Sequence, residues 1–287
     1  MKRKPKPIRV GDSTLYKSGT TRFDLADPYH LAVTASWPAF FTAFVASFVL
    51  INLLFAFAYV LDPQSIANAR PHVLADAFFF SMETLATVGY GTMAPSSLWG
   101  HVVSGVEIIT GIAFTAIVTG IIFVRFSKVK SKLLFADKVV VCQHEGKPTL
   151  MIRLAYGRDT MLASVNARLT VLKASKTAEG RAFRNAHDAQ LIRSHMPMLA
   201  LTWTVMHEID AGSPLHGMTE QQVREGGLRL IVTIDARDHA LSSPIFDVRS
   251  YASDDILFGT VYQDLVTFDS EMGTYADVRD ISLVHAE

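Results

Sequence analysis

Two long apolar segments place the strongest constraint on what this chain can fold into. No residue from Trp37 to Leu61 is charged, and a helix of that length, rising about 1.5 Å per residue, exceeds the roughly 30 Å hydrocarbon core of a membrane. A second segment, from Leu98 to Phe126, is interrupted in its first half only by His101 and Glu107. The sequence therefore predicts two transmembrane helices.

A short motif lies between the two apolar segments, and it is preceded by a helix-like stretch, Leu74 to Ala86, that is too short to cross a membrane. The motif reads TVGYG, and four loops of this sequence around an axis replace the hydration shell of K⁺ with rings of backbone carbonyls. Without such compensation, moving an ion from water into a low-dielectric layer costs on the order of 20 kcal/mol. We therefore interpret Leu74 to Ala86 as a re-entrant pore helix. The motif, called the filter segment below, is TVGYG: Thr87, Val88, Gly89, Tyr90 and Gly91.

The distribution of lysine and arginine around the two apolar segments predicts the orientation of the chain. Arg70 is the only lysine or arginine between them, whereas both flanks are basic, which favours two cytoplasmic termini. The filter segment would then open to the outside. The formal net charge of the whole chain is zero, and no nucleic-acid partner is expected. The flanking basic residues are Lys2, Arg3, Lys4, Lys6, Arg9, Lys17 and Arg22 before the first segment, Arg125 at the end of the second, and Lys128, Lys130 and Lys132 after it.

The chain contains one filter segment, which cannot close a ring around an ion by itself. Assembly of identical subunits about a cyclic axis is the usual way to close such an interface. The sequence therefore predicts an oligomer, and the pattern of potassium channels implies four subunits.

Residues 133–287 contain no further apolar segment of membrane length. Short alternating runs, such as Leu228 to Asp235, are separated by turn signals such as Glu145 to Pro148, and this pattern is typical of a β-sandwich. Cys142 is the one cysteine of the chain, which suits a reducing compartment. We divide the chain into residues 1–36 (cytoplasmic N-terminus), 37–132 (transmembrane pore domain) and 133–287 (cytoplasmic sandwich).

Specific motifs resemble those of the inward-rectifier potassium channels, and in particular of their bacterial branch, the KirBac family. Thr202 to Gly217, TWTVMHEIDAGSPLHG, is similar to the cytoplasmic domain of that family. Ser36 to Pro38 and Glu83 to Thr87 resemble the bacterial branch. The resemblance implies a homotetramer in a bacterial inner membrane, with a slide helix at Asp24 to Ala35, two transmembrane helices, a pore helix with its filter, and an immunoglobulin-like cytoplasmic sandwich.

The same resemblance implies three positions for gating on the second transmembrane helix. Gly111 matches a hinge glycine, and Phe123 matches the inner constriction, or gate. Thr115 stands in the cavity, where strongly rectifying relatives have an acidic residue that holds Mg²⁺ or polyamines. Because a hydroxyl attracts a polycation less than a carboxylate does, we expect only weak block by Mg²⁺ or polyamines.

Two carboxylates, Glu83 and Glu107, lie at membrane depth. Because a charge there is costly, we take each as a candidate functional residue. Glu83 matches a glutamate that supports the filter, although Thr92 and Met93 differ from the residues that many relatives have beyond the filter. Glu107 faces the cavity or lies between subunits, and the sequence does not decide between these positions.

The basic residues after the second helix match a region where inward rectifiers bind anionic lipids. Each such charge contributes about 1 kcal/mol near an anionic membrane. Membrane topology alone also explains them. The candidate lipid-binding residues are Arg125, Lys128, Lys130 and Lys132.

No enzyme motif or cofactor site is apparent in the sequence, and K⁺ is the expected permeant ligand. His207-Glu208 lacks the second histidine of a zinc-helix motif. Two alternatives remain open: a two-span receptor or scaffold with a coincidental filter-like motif, and a potassium channel whose soluble domain senses a different ligand.

Overall fold

The computed structural model describes residues 6–10, 13–17, 27–127, 131–176, 179–269 and 273–287. The chain separates into two compact units: Thr21–Lys128 forms one, and Met1–Thr20 together with Val129–Glu287 forms the other. The boundary after residue 128 lies close to the predicted division at residue 132. The first residues of the chain group with the soluble unit rather than with the slide helix.

The N-terminal part of the soluble unit is a hairpin. Strand β1 (Lys6–Val10) pairs antiparallel with strand β2 (Ser13–Lys17), so that Ile8 lies opposite Leu15. The sequence analysis did not predict this hairpin.

The pore unit begins with a short helix, α1 (Pro28–Thr34). The side chain of Asp27 accepts a hydrogen bond from the His30 amide at 2.9 Å, and Pro28 stands at the first helical position, where its missing N–H is not needed. These two residues explain why the helix starts here. The predicted slide helix spans Asp24 to Ala35, and its residues 24–26 lie outside the described part of the chain.

Helix α2 (Trp37–Val60) is the first predicted span. The Ser36 hydroxyl caps it by accepting a hydrogen bond from the Ala39 amide at 3.4 Å. The apolar segment predicted from Trp37 to Leu61 is therefore helical over almost its whole length, and its mean hydropathy of 2.3 is that of a membrane-spanning helix.

The chain then folds back before it crosses again. Strand β3 (Ile66–Ala67) precedes helix α3 (Leu74–Leu85), and strand β4 (Ala94–Pro95) follows the filter segment. Because β3 and β4 pair antiparallel, the chain before α3 and the chain after the filter segment are joined. Helix α3 is the predicted pore helix, one residue shorter at its end than expected.

Helix α4 (Leu98–Phe126) is the second predicted span, with a mean hydropathy of 2.1. The Ser97 hydroxyl caps its start by accepting a hydrogen bond from the Gly100 amide at 3.1 Å. Side chains from α2, α3 and α4 share one buried apolar cluster, which includes Ala56, Tyr59, Ala77, Phe80 and Val103. Helix α3 is thus held between the two long helices of its own protomer.

The soluble unit is mostly β-structure. Its elements are β5 (Leu133–Phe135), β6 (Val139–His144), β7 (Lys147–Tyr156), β8 (Leu162–Lys176), β9 (Ala182–Ala189), β10 (His195–Leu199), β11 (Thr202–Glu208), α5 (Glu220–Glu225), β12 (Arg229–Asp238), β13 (Pro244–Ala252), β14 (Ile256–Phe258), β15 (Thr260–Tyr262), β16 (Val266–Asp269), β17 (Gly273–Ala276) and β18 (Val284–Ala286).

Two five-stranded sheets form the core of this unit. One has the strand order β10-β8-β12-β13, with β9 added to β8, and the other has the order β11-β7-β6-β14, with β5 added to β7. Leu230 and Val232 of the first sheet pack with Leu150 and Ile152 of the second in one buried cluster. The predicted β-sandwich is therefore confirmed, and the alternation of apolar residues along β12 is the alternation of its inward-facing side chains.

Candidate functional site

The filter segment alternates between two backbone conformations. The φ angle is +56° at Thr87, +57° at Gly89 and +82° at Gly91, and Val88 and Tyr90 are not among the residues with positive φ. Successive residues of an ordinary strand point their groups to opposite sides. Because the sign of φ reverses at every second residue, successive carbonyls turn toward the same side. The carbonyl oxygens of the segment can therefore all face one axis.

The side chains of the filter segment have few neighbours within one protomer. Val88 is 52% exposed and Tyr90 is 73% exposed, which is unusual for large apolar and aromatic residues. No atom lies within 4 Å of a Cβ built at Gly89 or Gly91. Within a single protomer, both faces of this segment are therefore uncovered.

The inner end of the filter segment is bound to the last turn of α3. The Glu83 carbonyl accepts hydrogen bonds from the Val88 amide at 2.8 Å and from the Gly89 amide at 3.4 Å, and the Thr84 carbonyl accepts one from the Thr87 amide at 3.0 Å. Glu83 was predicted to support the filter, and the contacts found here come from its backbone carbonyl. Its side chain is half-buried.

The outer end of the filter segment is bound by a residue that the sequence analysis missed. The side-chain amide of Asn68 donates a hydrogen bond to the Thr92 carbonyl at 2.9 Å. Asn68 itself has φ of +61°, a conformation that asparagine tolerates better than most residues. Nearby, Arg70 forms a two-pronged ion pair with Asp76, the shorter contact being 2.8 Å. The loop after α2 thus holds both the filter end and the start of α3.

Gly111 lies where α4 comes closest to the end of α3. A Cβ at this position would be 2.1 Å from the Leu85 carbonyl oxygen, a distance that no packed pair of atoms adopts. Gly111 is therefore a site of close backbone approach to Leu85, which lies two residues before the filter segment in the chain, and its role as a hinge stays a prediction. Any side chain here would push the two helices apart.

Thr115 and Phe123 lie further along α4, and both are exposed within the protomer, Phe123 by 72%. Their predicted roles in the cavity and in the gate would depend on neighbouring copies of the chain.

The structure places Glu107 in the interior of the protomer rather than on a cavity surface, because its side chain is 0% exposed. The Tyr59 hydroxyl donates a hydrogen bond to Glu107 Oε2 at 2.7 Å, and Ser81 Oγ lies within hydrogen-bonding distance of Glu107 Oε1. Ser81 also contacts Asn52 at 3.0 Å. These three partners were not predicted from the sequence, where Asn52, as the one side-chain amide of α2, was the available signal.

Arg125, near the end of α4, forms hydrogen bonds with backbone carbonyls of the chain around α1. Its guanidinium donates to the Ala32 carbonyl at 2.5 Å and to the Ala35 carbonyl at 2.8 Å. It also lies 4.4 Å from the centre of the Trp37 ring, within range of a cation–π interaction. These contacts satisfy the carbonyls at the end of α1, and lipid binding by Arg125 stays a prediction.

Of the other predicted lipid-binding residues, Lys132 is exposed. Lys128 and Lys130 lie outside the described residues.

The conspicuous motif from Thr202 to Gly217 forms β11 and the turn after it. His207 is buried, with Nδ1 2.7 Å from the Gln190 carbonyl and Nε2 2.7 Å from the Ser213 hydroxyl. Because a carbonyl can only accept, Nδ1 carries a proton and donates to Gln190, while Nε2 shares a hydrogen bond with the Ser213 hydroxyl. The histidine therefore joins the strand to its neighbouring loops, and this part of the motif is structural.

Comparison with known proteins supplies the last observations on this chain. Residues 133–286 match the inward rectifier potassium channel C-terminal domain, and residues 39–128 match the ion channel family. The chain is 34% identical over 267 residues to the inward rectifier potassium channel Kirbac3.1 of Paramagnetospirillum magnetotacticum, covering 92% of this chain and 90% of that protein. It is 26% identical over 283 residues to the human ATP-sensitive inward rectifier potassium channel 15, covering 90% of this chain and 74% of that protein.

Proposed function

The chain belongs to the inward-rectifier potassium channel family, and on that premise we propose that four copies form a pore through which K⁺ crosses a bacterial inner membrane passively, with both termini in the cytoplasm. Membership of this family makes the chain an ion channel of the membrane, which is not a class of enzyme. The match of residues 133–286 also identifies the soluble domain as that of an inward rectifier, which removes the alternative of an unrelated ligand-sensing module.

The observation that carries the proposal is the alternating backbone of the filter segment. With φ positive at Thr87, Gly89 and Gly91, four copies around an axis would surround it with rings of carbonyl oxygens. These rings would compensate for the loss of water from the ion, a cost on the order of 20 kcal/mol without compensation. The uncovered faces of Val88 and Tyr90 would then pack against neighbouring subunits.

The gate of this channel would lie on α4. Phe123 is apolar and exposed within the protomer, so four copies could form a ring that excludes water and stops ions. Movement of this part of α4 would open the ring. Gly111, where α4 touches the end of α3, would be the point about which it bends.

The test of the function is ion flux from purified full-length protein in liposomes. We expect K⁺ flux that Ba²⁺ blocks, a much smaller Na⁺ flux, and a solubilised species with the mass of a tetramer. Na⁺ flux as fast as K⁺ flux, or a monomeric species, would contradict the proposal.

Block by cytoplasmic polycations is expected to be weak because of Thr115. A ring of hydroxyls carries no net charge, whereas a ring of carboxylates would attract Mg²⁺ or spermine strongly. We expect spermine to cause shallow rectification in bilayer recordings, and the variant Thr115→Glu to make it steeper. Steep rectification of the unmodified channel by spermine would contradict this assignment.

Anionic lipids are proposed to modulate the channel through Lys128, Lys130 and Lys132. The double variant Lys128→Gln, Lys130→Gln is expected to reduce the response of K⁺ flux to anionic lipid, because each charge contributes about 1 kcal/mol near such a membrane. An unchanged lipid response would exclude this role.

Arg125→Gln is the informative comparison for the lipid experiment. Since the Arg125 guanidinium already binds the Ala32 and Ala35 carbonyls, we expect this variant to lower the free energy of unfolding by about 2 kcal/mol. It should change the lipid response less than the lysine pair does.

A further inference from the structure

Glu107 is the one membrane-depth carboxylate of α4, and no role in conduction is assigned to it above. We propose that Glu107 carries a proton and that, in this neutral form, it is a positioning residue that ties the pore helix α3 to both long helices of the protomer. The functional part of this inference, the placement of the filter, rests on the proposed function. The protonation and the tie can be tested without it.

The geometry of the site is a connected row of polar groups buried among α2, α3 and α4. Tyr59, Ser81, Asn52 and Glu107 are each 0% exposed. The row runs from the Tyr59 hydroxyl to Glu107 (2.7 Å), from Glu107 to Ser81, from Ser81 to Asn52 Oδ1 (3.0 Å), and from Asn52 Nδ2 to the Phe48 carbonyl (2.7 Å). Each long helix therefore reaches the pore helix through a polar contact.

The number of hydrogens along this row decides the protonation of Glu107. The Phe48 carbonyl can only accept, so it fixes the Asn52 amide with Nδ2 toward it and Oδ1 toward Ser81. Ser81 has one hydroxyl hydrogen, and Asn52 Oδ1 requires it as a donor. The remaining contact, between Ser81 and Glu107, then needs a hydrogen from the carboxyl group.

With a proton on Glu107 every contact in the row has one donor and one acceptor. Tyr59 donates to Glu107 Oε2, Glu107 Oε1 donates to Ser81, Ser81 donates to Asn52, and Asn52 donates to Phe48. An ionised Glu107 would instead leave Asn52 Oδ1 facing a hydroxyl that has no hydrogen to give. Buried networks of this kind stabilise a structure when every member is satisfied, and they destabilise it when one is not.

The charges around the site favour the same form. The ion pairs of the described residues do not include Glu107, and α2 contains no charged residue. A buried carboxylate without a cationic partner is strongly disfavoured, and such a group becomes neutral instead. The only other titratable group in the row, Tyr59, donates its hydrogen to Glu107.

The hydrogen bond between Glu107 and Ser81 affects conduction because Ser81 belongs to α3, the helix from which the filter segment extends. The carbonyls of Glu83 and Thr84, in the last turn of α3, bind the filter segment directly. A displacement of α3 would therefore displace the filter oxygens with it. Glu107 does not touch the filter, so its effect on ion selectivity would pass through Ser81 and α3.

Four variants of the full-length channel test the inference. Glu107→Gln supplies an N–H toward Ser81 and a carbonyl toward Tyr59, as the protonated acid does. Glu107→Leu has a similar size but makes no hydrogen bond, and Ser81→Ala breaks the row at α3. Ser104→Ala is the matched control, because the buried Ser104 hydroxyl donates a hydrogen bond to the His101 carbonyl of its own helix at 3.1 Å.

We expect Glu107→Gln and Ser104→Ala to keep the melting temperature of the solubilised protein and the K⁺ flux close to those of the unmodified channel. Glu107→Leu and Ser81→Ala should lower the melting temperature by several degrees. Where these two variants still assemble, they should lower K⁺ flux about tenfold or raise the Na⁺ flux relative to it. The reason is that loss of the hydrogen bond to Ser81 shifts the equilibrium between conducting and displaced positions of α3 by about that factor.

Infrared spectroscopy reads the proton directly, and it does not require flux. The difference between Glu107→Gln and the unmodified protein at neutral pH should contain the carbonyl band of a protonated carboxylic acid. A carboxylate band in its place, or loss of stability in Glu107→Gln equal to that in Glu107→Leu, would overturn the inference. If the unmodified protein conducted no K⁺, the proposed function would fail while the infrared and melting results still decided the protonation and the tie.

Discussion

Replacement of Gly89 with aspartate is expected to abolish K⁺ flux while the soluble domain stays folded. Gly89 has φ of +57°, where a side chain adds about 1–2 kcal/mol of strain in each subunit. The larger effect comes from four carboxylates beside the ion path, which would disturb the carbonyl rings and trap cations. Flux of K⁺ and Na⁺ from liposomes measures the loss.

Gly146 offers a matched control for this experiment. It also has a positive φ, +77°, and no atom lies within 4 Å of a Cβ built on it, but it belongs to the exposed turn between β6 and β7. Gly146→Asp introduces the same residue into a similar backbone conformation outside the filter segment. We expect it to conduct normally. Selective K⁺ flux through Gly89→Asp would show that this segment does not line the ion path.

Replacement of Gly111 with alanine is the second change for which we expect a large effect. The new methyl group would lie 2.1 Å from the Leu85 carbonyl oxygen, and a backbone atom cannot rotate away as a side chain can. Helices α3 and α4 would have to separate by about 1 Å to restore an ordinary contact. Because Leu85 ends the pore helix, the filter segment would move with it. We expect a lower melting temperature and at least about tenfold less K⁺ flux.

Gly120 on the same helix is the control that separates close packing from bending. No atom lies within 4 Å of a Cβ built there, and alanine in a helix is about 1 kcal/mol more favourable than glycine. Gly120→Ala should therefore be neutral or slightly stabilising. If Gly111 served only as a hinge, Gly111→Ala would also keep or raise the melting temperature and would change only the open probability. That result would contradict the packing role inferred here.

The parts of this protein that its sequence predicts well are those set by local pattern. The uncharged stretch from Trp37 predicted α2 to within a residue, because length and hydropathy alone decide whether a helix can span a membrane. The alternation from Leu228 to Asp235 predicted β12, because inward and outward side chains follow each other along a strand. The motif TVGYG indicated the filter segment, and its Gly89 and Gly91 tolerate the positive φ found there, whereas the positive φ of Thr87 has no such local signal.

The parts that the sequence left open depend on residues far apart in the chain. Tyr59 and Glu107 are 48 positions apart, and Arg125 and Ala32 are 93 apart, so no local pattern could pair them. Glu107 was assigned to a cavity or a subunit interface from its depth alone, and Arg125 to lipid from its charge alone. Burial places Glu107 inside the protomer, whereas lipid binding by Arg125 stays a prediction beside its contacts with the chain around α1.

By itself, then, the sequence determined the two spans, the filter segment between them and the sandwich, because each follows from the chemistry of consecutive residues. Only the tertiary structure decided which groups satisfy the buried carboxyl of Glu107, the guanidinium of Arg125 and the close approach at Gly111. The physical reason is that the role of a buried polar group, or of a glycine in a close contact, depends on the atoms packed against it. Folding brings those atoms together from distant parts of the chain.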